Sequence, residues 1–412
     1  MPHPANRGGH HGIRALLCPP PGGDAPDEFA FGWTRLRESF GSATRCLDPG
    51  PLPVGNDMAR RVAPLLAGMA DADRVAWMPH AQVMVMPCVL ERLAHALEAD
   101  PGLTAALAHD QHFAPQPAPD YCTERGLERY LARLGEQHGM LPFTGQASPA
   151  LTLTTAGALR GGTVWSRAAW VGNTCVHDFA DYQRAARDEI LPLVPALARR
   201  VLDVGGGEGH FLARLRAARP SQPPLETHLA EQSPQACARA RARVDRVWEG
   251  DFAALPIEGR FDCISFLEAL EHTTDPLAWL RRARELLAPG GAVVASVPNA
   301  GHWSVIADLL EGRWDTSPVG IHCVTHLRFF TEHGLRALFA RAGLRIARLE
   351  ALCIACPPDW REAWLGAAGP RLAAAPTSWD SYAFLVQAVA DDDPHGAHGA
   401  AGPPSAAQAA QP

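Results

Sequence analysis

The chain has 412 residues, 47% of them hydrophobic, which exceeds the usual size of one domain and is ample for buried cores, so two domains are expected. Its formal net charge is -7 and every basic side chain is an arginine. That balance disfavours nucleic acid as a partner, and the arginines of Arg239–Arg246 stand among alanines, as on a solvated helix face. Apolar runs stop at strand length, far below the roughly 20 residues of a membrane span. Residues 1–12 also lack the charged-then-apolar order of a leader, so a cytoplasmic protein is expected.

Arginine without lysine, with abundant alanine, proline and glycine, reads as GC-rich bacterial coding. The ten cysteines are scattered, several inside expected strands or helices (Cys237, Cys263), which suits buried thiols in a reducing compartment. Cys353 and Cys356 form a C-x-x-C that stands alone, with no second pair at zinc spacing, so no metal is expected.

Residues 1–60, rich in proline and glycine, read as a loosely structured lead-in with one helix near Trp33–Phe40. Val75–Met86 supplies strand. Val89–Glu98 is apolar at helical spacing and ends before the stop-and-turn Asp100-Pro101-Gly102. Leu103–Ala108 is a further short strand or helix, and Ala114–Asp120 a proline-rich loop. Residues 61–173 thus form a smaller α/β accessory domain. A different rhythm fills 174–390. Asp181–Leu191 predicts an amphipathic helix stopped by Pro192; strands and helices then alternate in the order of a parallel sheet covered on both faces. The expected strands are Arg200–Val204, Glu226–Ala230, Arg246–Trp248, Cys263–Leu267, Ala292–Val297, Leu344–Leu349 and Tyr382–Val389, with a helix at Glu332–Ala342. Residues 391–412 are too poor in branched apolar residues to fold and are expected to be a disordered tail.

The chemistry concentrates where Arg200-Val-Leu-Asp203-Val runs into Gly205-Gly-Gly207-Glu-Gly209 and then a helix. Glycines at 205, 207 and 209 let the backbone turn tightly and approach a ligand, and the helix start offers unpaired N–H groups. The next strand ends in Glu231, whose carboxylate can accept hydrogen bonds from both hydroxyls of a ribose. The third ends in Glu249-Gly-Asp251-Phe252, an acid and an aromatic suited to an adenine amino group and ring face.

These segments, with Phe261-Asp262 through Leu267-Glu268 to Glu271-His272 and Leu287-Ala-Pro-Gly-Gly291, resemble the class I S-adenosylmethionine (SAM)-dependent methyltransferases, in particular a bacterial subgroup like those of ubiquinone biosynthesis. The resemblance implies a Rossmann-like seven-stranded α/β sheet and SAM as cofactor. It implies that Gly205, Gly207 and Gly209 line the methionine part of SAM, that Asp203 supports their loop, and that Glu231 holds the ribose. It places Asp251 and Phe252 at the adenine, and Leu267 and Glu268 beside the sulfonium. The usual pattern has cysteine or a small residue where Gly206 stands. A nicotinamide dinucleotide fold would need G-x-G-x-x-G, and the glycines here fall as G-x-G-x-G.

After the fifth strand come Pro298-Asn-Ala-Gly-His302-Trp303, Gly312-Arg-Trp314 and His322-Cys-Val-Thr-His326-Leu-Arg328-Phe-Phe-Thr331, similar to the acceptor-side insert of that subgroup. Methyl transfer needs an aligned nucleophile and, for a hydroxyl, a base, and histidine is the natural base near neutral pH. His326, with His302 as its rival, is the expected catalytic base, and Trp303, His322 and Arg328 the expected acceptor-binding residues. A plain helix start accounts for Thr331-Glu332.

The N-terminal half faintly resembles a family-2-like glycosyltransferase in Leu90-Glu-Arg-Leu93 and Asp100-Pro101, but Met78-Pro-His-Ala-Gln82 replaces the metal-holding acids and Asp71-Ala-Asp73 precedes the strand. It reads as a degenerate accessory domain, which makes a glycan acceptor plausible by analogy. Two functions follow: transfer of a methyl group to an O or N atom of a saccharide or small metabolite, or an inactive SAM-binding scaffold whose N-terminal half holds a partner.

Overall fold

The computed structural model describes residues 13–17, 30–35, 45–47, 62–80, 82–112, 121–135, 139–145, 149–179, 184–219, 224–368 and 376–391. They fall into two compact units, one holding residues up to 180 together with 315–324, the other holding 181–314 and 325–411.

The second unit is built on seven strands: β9 (Arg200–Val204), β10 (Glu226–Glu231), β11 (Arg246–Glu249), β12 (Phe261–Leu267), β13 (Leu287–Pro298), β14 (Leu344–Cys353) and β15 (Ser381–Ala390). Their order is β11-β10-β9-β12-β13-β15-β14, parallel from β11 to β13, with β15 antiparallel to both its neighbours. Successive side chains leave opposite faces of a strand, and both faces here are apolar. Leu202 and Ile264 join a core with Phe261, Phe266, Trp279, Leu280 and Phe339, whereas Val201 and Cys263 join one with Ile190, Phe211, Leu212 and Val294. Truncating one such ring, Phe339→Ala, would cost about 3–5 kcal/mol.

Among the helices on this sheet, His210–Ala217 begins at Gly209 and Pro276–Leu286 is capped by Asp275, whose carboxylate accepts from Ala278 N at 2.9 Å, with proline in its first turn. Glu332–Arg341 is capped by the Thr331 hydroxyl, accepting from Gly334 N at 3.3 Å, which bears out the plain helix start. The expected helix at Asp181–Leu191 is corrected. Residues 180–183 lie outside the described residues, and a 3-10 helix at Asp188–Leu193 takes Pro192 inside it, a short turn that tolerates the missing N–H.

The first unit holds an eight-stranded sheet: β1 (Ile13–Leu17), β2 (Arg45–Leu47), β3 (Arg74–Trp77), β4 (Val83–Met84), β5 (Ala105–Asp110), β6 (Met140–Pro142), β7 (Leu151–Thr155) and β8 (Ala168–Asp178). The path runs β2-β1-β3-β7-β5-β8-β4, with β6 on β8. Two expectations change here. The lead-in contributes β1 and β2 and a helical turn at 30–35, while the rest of the expected Trp33–Phe40 helix lies outside the described residues. The boundary expected before Thr174 cannot stand, because that residue is inside β8 and its buried hydroxyl donates to Val171 O at 2.6 Å. The helix expected at Val89–Glu98 is present as Pro87–Ala99. The loop Ala114–Asp120 and the tail 392–412 lie outside the described residues.

Candidate active site

In the second sheet the strand order turns around at β9: the chain goes first to β10 and β11 on one side, then to β12 and β13 on the other. Ligands of open α/β sheets bind outside the carboxyl ends of the strands at such a reversal. The glycine turn sits there. Gly205, Gly207 and Gly209 have φ of 74°, 55° and 77°, a region closed to most side chains. Gly205 N donates to Ala230 O at 2.8 Å, tying the turn to β10. A Cβ on Gly205 would meet Ala269 Cβ at 3.0 Å, so the exit of β12 forms the facing wall.

Asp203 is fully buried and accepts from Ser265 Oγ at 2.6 Å across the β9–β12 pair; burial pushes its carboxyl up to about 7. It also explains Gly206, the position where the family pattern usually has cysteine or a small residue. A Cβ there would lie 2.0 Å from Asp203 Oδ2 and 2.8 Å from Leu229 Cδ1, a constraint the one-letter pattern does not display.

Glu231 ends β10 with one oxygen accepting from Gly207 N at 2.9 Å and the other from Ser233 N at 2.8 Å. Each carboxylate oxygen has a second lone pair, so both remain open to a diol. Sequence reasoning missed Glu208. It is buried, with Arg239 at 2.7 Å, His210 at 3.5 Å, Arg184 at 3.7 Å and Arg243 at 3.9 Å. Burial pushes its carboxyl up, but the Arg239 hydrogen bond and the charges around it win and hold it below the usual range. The signal was an acid inside the glycine turn followed by spaced arginines.

Asp251 is exposed, its carboxylate accepting from Ala253 N at 3.0 Å. Phe252 departs from expectation. Its ring is buried edge-on against Phe266 at 5.9 Å and Trp279 at 5.8 Å, so it supports the floor and has no face free for adenine. Leu267 ends β12. Glu268 follows with φ of 52°, held by its N–H donating to Ser296 Oγ and Ser296 O, both at 3.1 Å. A non-glycine residue in that region is strained and marks functional turns.

On the acceptor side His302 and Trp303 are corrected. His302 caps the helix Trp303–Leu310: Nδ1 accepts from Ser304, with Ser304 Oγ at 2.9 Å, and Nε2 donates to Ile354 O at 3.1 Å. Burial pushes it down to about 4, so it is neutral and structural. Trp303 is 1% exposed and donates Nε1–H to Ile354 O at 2.9 Å, leaving no surface for an acceptor. His322 is buried in the 315–324 stretch that packs with the first unit, where Ile321 N donates to Cys122 O at 3.1 Å.

His326 is brought instead to the exit of β12. Its Nε2 lies 4.0 Å from Glu271 Oε1, and its ring meets His272 edge-on at 4.8 Å. Glu271 O accepts from Leu327 N at 2.8 Å and Arg328 N at 3.0 Å, and His272 Nδ1 lies 3.2 Å from Thr325 O. The exposed Arg328 donates to Thr274 O at 2.5 Å. Beside it Trp314 and Phe329, both 43% exposed, meet edge to face at 4.9 Å. One ligand atom each from Glu271, His272 and His326 lies within 4.8 Å of the others, so these three could hold a metal ion.

Comparison with known proteins identifies the family. A family profile described as "Methyltransferase domain" matches residues 179–349. A ubiquinone biosynthesis O-methyltransferase of Cereibacter sphaeroides is 34% identical over 187 residues, covering 42% of this chain and 71% of that protein. This chain belongs to the class I SAM-dependent methyltransferases. The protein of the same description from Neisseria meningitidis is 29% identical over 158 residues, covering 36% of this chain and 65% of its own. Among solved structures, a SAM-dependent methyltransferase from Mesorhizobium loti is 23% identical, covers 50% of this chain and 97% of its own, and superposes with a TM-score of 0.34. The family makes the protein a SAM-dependent methyltransferase with SAM as its cofactor, and the strand order of its second unit is that of a Rossmann-like α/β fold. No described helix is long and apolar enough to cross a membrane.

Proposed function

We propose that the chain methylates a hydroxyl oxygen of a small-molecule acceptor, with a saccharide as the acceptor class to test first. The observation that carries the reading is the pairing of an intact glycine turn with a polar group, Glu271, His272 and His326, at the exit of the strand that faces it. SAM supplies a methyl carbon already activated by its sulfonium. The chain's residues align the incoming oxygen and manage its proton. Gly205, Gly207 and Gly209 give the methionine part of SAM room, Glu231 takes the ribose hydroxyls, Asp251 the adenine amino group, and Leu267 with Glu268 the region of the sulfonium. His326 is the expected proton acceptor.

The O-methyltransferase names of the relatives support an oxygen acceptor. The saccharide follows from the N-terminal resemblance and from the exposed Trp314–Phe329 pair, an apolar platform of the kind a ring lies on. In the first unit Asp71 is tied to Arg160 and Asp73 accepts from Ala70 N at 3.0 Å. Both acids are thereby given structural tasks, consistent with an accessory role for that half. The scaffold alternative predicts no turnover. Incubation with methyl-labelled SAM and fractionated bacterial extract tests both: label in a glycan or small-metabolite fraction is expected, and label in none favours the scaffold.

A further inference from the structure

Glu208 stands between Gly207 and Gly209, and its side chain is only 4% exposed. A buried carboxylate costs desolvation that only well-placed cations offset, and an apolar side chain of the same size would avoid that cost. The charge is therefore informative for what it holds together. Its cations come from separate parts of the chain. Arg239 belongs to the helix Pro234–Ala240 and donates from Nη1 to Glu208 Oε1 at 2.7 Å, and Arg243, in the turn after that helix, lies 3.9 Å from Oε2. Arg184 approaches from the segment ahead of β9 at 3.7 Å, and His210, two residues on, lies at 3.5 Å.

The helix Pro234–Ala240 is also the support of Glu231. Its start is tied to the glycine turn through that residue: one Glu231 oxygen accepts from Gly207 N at 2.9 Å, and the other accepts at 2.8 Å from Ser233 N, in the residue that caps the helix. Its far end is tied to the same turn by Glu208, through Arg239 and Arg243. Between the two ties the fit is close, since a Cβ on Gly209 would meet Val244 Cγ2 at 2.5 Å and Ala240 Cβ at 3.7 Å. Two carboxylates thus clamp one helix to the turn, the one assigned to the ribose at its start and the buried one at its end.

Granted the ribose at Glu231, on which this rests, we propose that Glu208 is a positioning residue for SAM: by holding the far end of the helix Pro234–Ala240 against the glycine turn, it keeps the Glu231 carboxylate aimed at the ribose hydroxyls without touching the cofactor itself. Hydrogen bonds from a hydroxyl to a carboxylate weaken steeply as their angles bend. A helix released at one end shifts Ser233 N, and with it the carboxylate that Ser233 N fixes. The adenine and methionine parts of SAM have their own contacts, so the loss of Glu208 is felt at the ribose.

Calorimetry on the full chain with S-adenosylhomocysteine and with its 2′-deoxy analogue reads this directly, because the ratio of the two dissociation constants measures what the 2′-hydroxyl contributes. A ratio of about tenfold is expected in the unaltered protein, as for one hydrogen bond to a charged group. Glu208→Gln should bring the ratio close to one while the affinity for the 2′-deoxy analogue stays nearly the same. Glu208→Asp, which keeps the charge, should recover part of the ratio. Arg239→Gln should match Glu208→Gln, and the double variant should be no worse than either single one, as for two partners in one interaction. Glu332→Gln, which removes the surface ion pair with Arg336 at 2.9 Å, should leave the ratio unchanged. A folded Glu208→Gln protein with a lower melting temperature and an unaltered ratio overturns the inference, because the ion cluster then serves stability alone. Should Glu208→Gln fail to fold by circular dichroism, Arg239→Gln decides by the same ratio, its side chain being 59% exposed. Glu231→Ala keeps the two assignments apart. A ratio that survives Glu231→Ala sinks the ribose placement, and a ratio lost in Glu231→Ala but kept in Glu208→Gln sinks the positioning role alone.

Discussion

Among single residues, the acids around the glycine turn carry the sharpest expectations. Glu231 holds two loop N–H groups besides the ribose expected of it, so Glu231→Ala should weaken SAM and S-adenosylhomocysteine by about 1–3 kcal/mol, measured by calorimetry. Equal affinity in the mutant would remove it from the site. Gly206→Ala should reduce SAM binding at least tenfold and lower the melting temperature, because its Cβ has no space beside Asp203. Asp203 predicts a pH effect. Its folded-state pKa of about 7 lies above the value for an unfolded aspartate, so its contribution to stability is full below about pH 4 and is lost as pH rises to about 7. Chemical denaturation at several pH values should show Asp203→Asn lacking that slope. At this scale the sequence displayed the glycine turn and the strand-end acids well, since both are local signals. It misjudged Phe252 and Trp303, because an aromatic beside a motif looks the same whether it faces a ligand or the core.

Helices and strands show a related divide. The strand expected at Arg200–Val204 is β9 residue for residue, and the other six of the second sheet agree within a few residues at their ends. Strands buried on both faces form uninterrupted apolar runs, and such runs are visible without any tertiary information. In the first sheet β7 reads Leu-Thr-Leu-Thr-Thr, an alternation that does signal strand, whereas β8 contains Gly172 and the left-handed Asn173 and does not declare itself. Both are fixed by pairing partners distant in sequence. The helix Trp303–Leu310 shows the same blindness, since nothing local says that His302 is its cap and not a base. His302→Ala should therefore cost about 1–2 kcal/mol of stability, visible as a lower melting temperature, with SAM affinity per folded molecule unchanged. A mutant of full thermal stability would return His302 to the list of catalytic candidates.

The whole molecule raises the question of whether the second unit is self-sufficient. All seven of its strands lie between Arg200 and Ala390, and both of its cores draw on residues from Ile190 to Ala388. A core complete within one stretch of chain is the physical condition for independent folding. The exception is 315–324, which counts with the first unit and has Ser317, Val319, Ile321 and Cys323 buried there. An excursion of this kind has no periodic signature, and the sequence treats it as one more piece of the acceptor-side insert. A fragment of residues 181–391 should fold and bind SAM within about threefold of the full chain, a small cost on the scale where tenfold is about 1.4 kcal/mol. It should also aggregate more readily, because Val319 and Ile321 lose the surroundings that bury them and Ile321 N loses the Cys122 carbonyl. Val319→Ser with Ile321→Thr should restore solubility without altering SAM affinity. Sedimentation and calorimetry on the two fragments decide it. If the substituted fragment remains unfolded by circular dichroism, the second unit depends on the first for more than these ten residues, and the two would have to be treated as one folding unit.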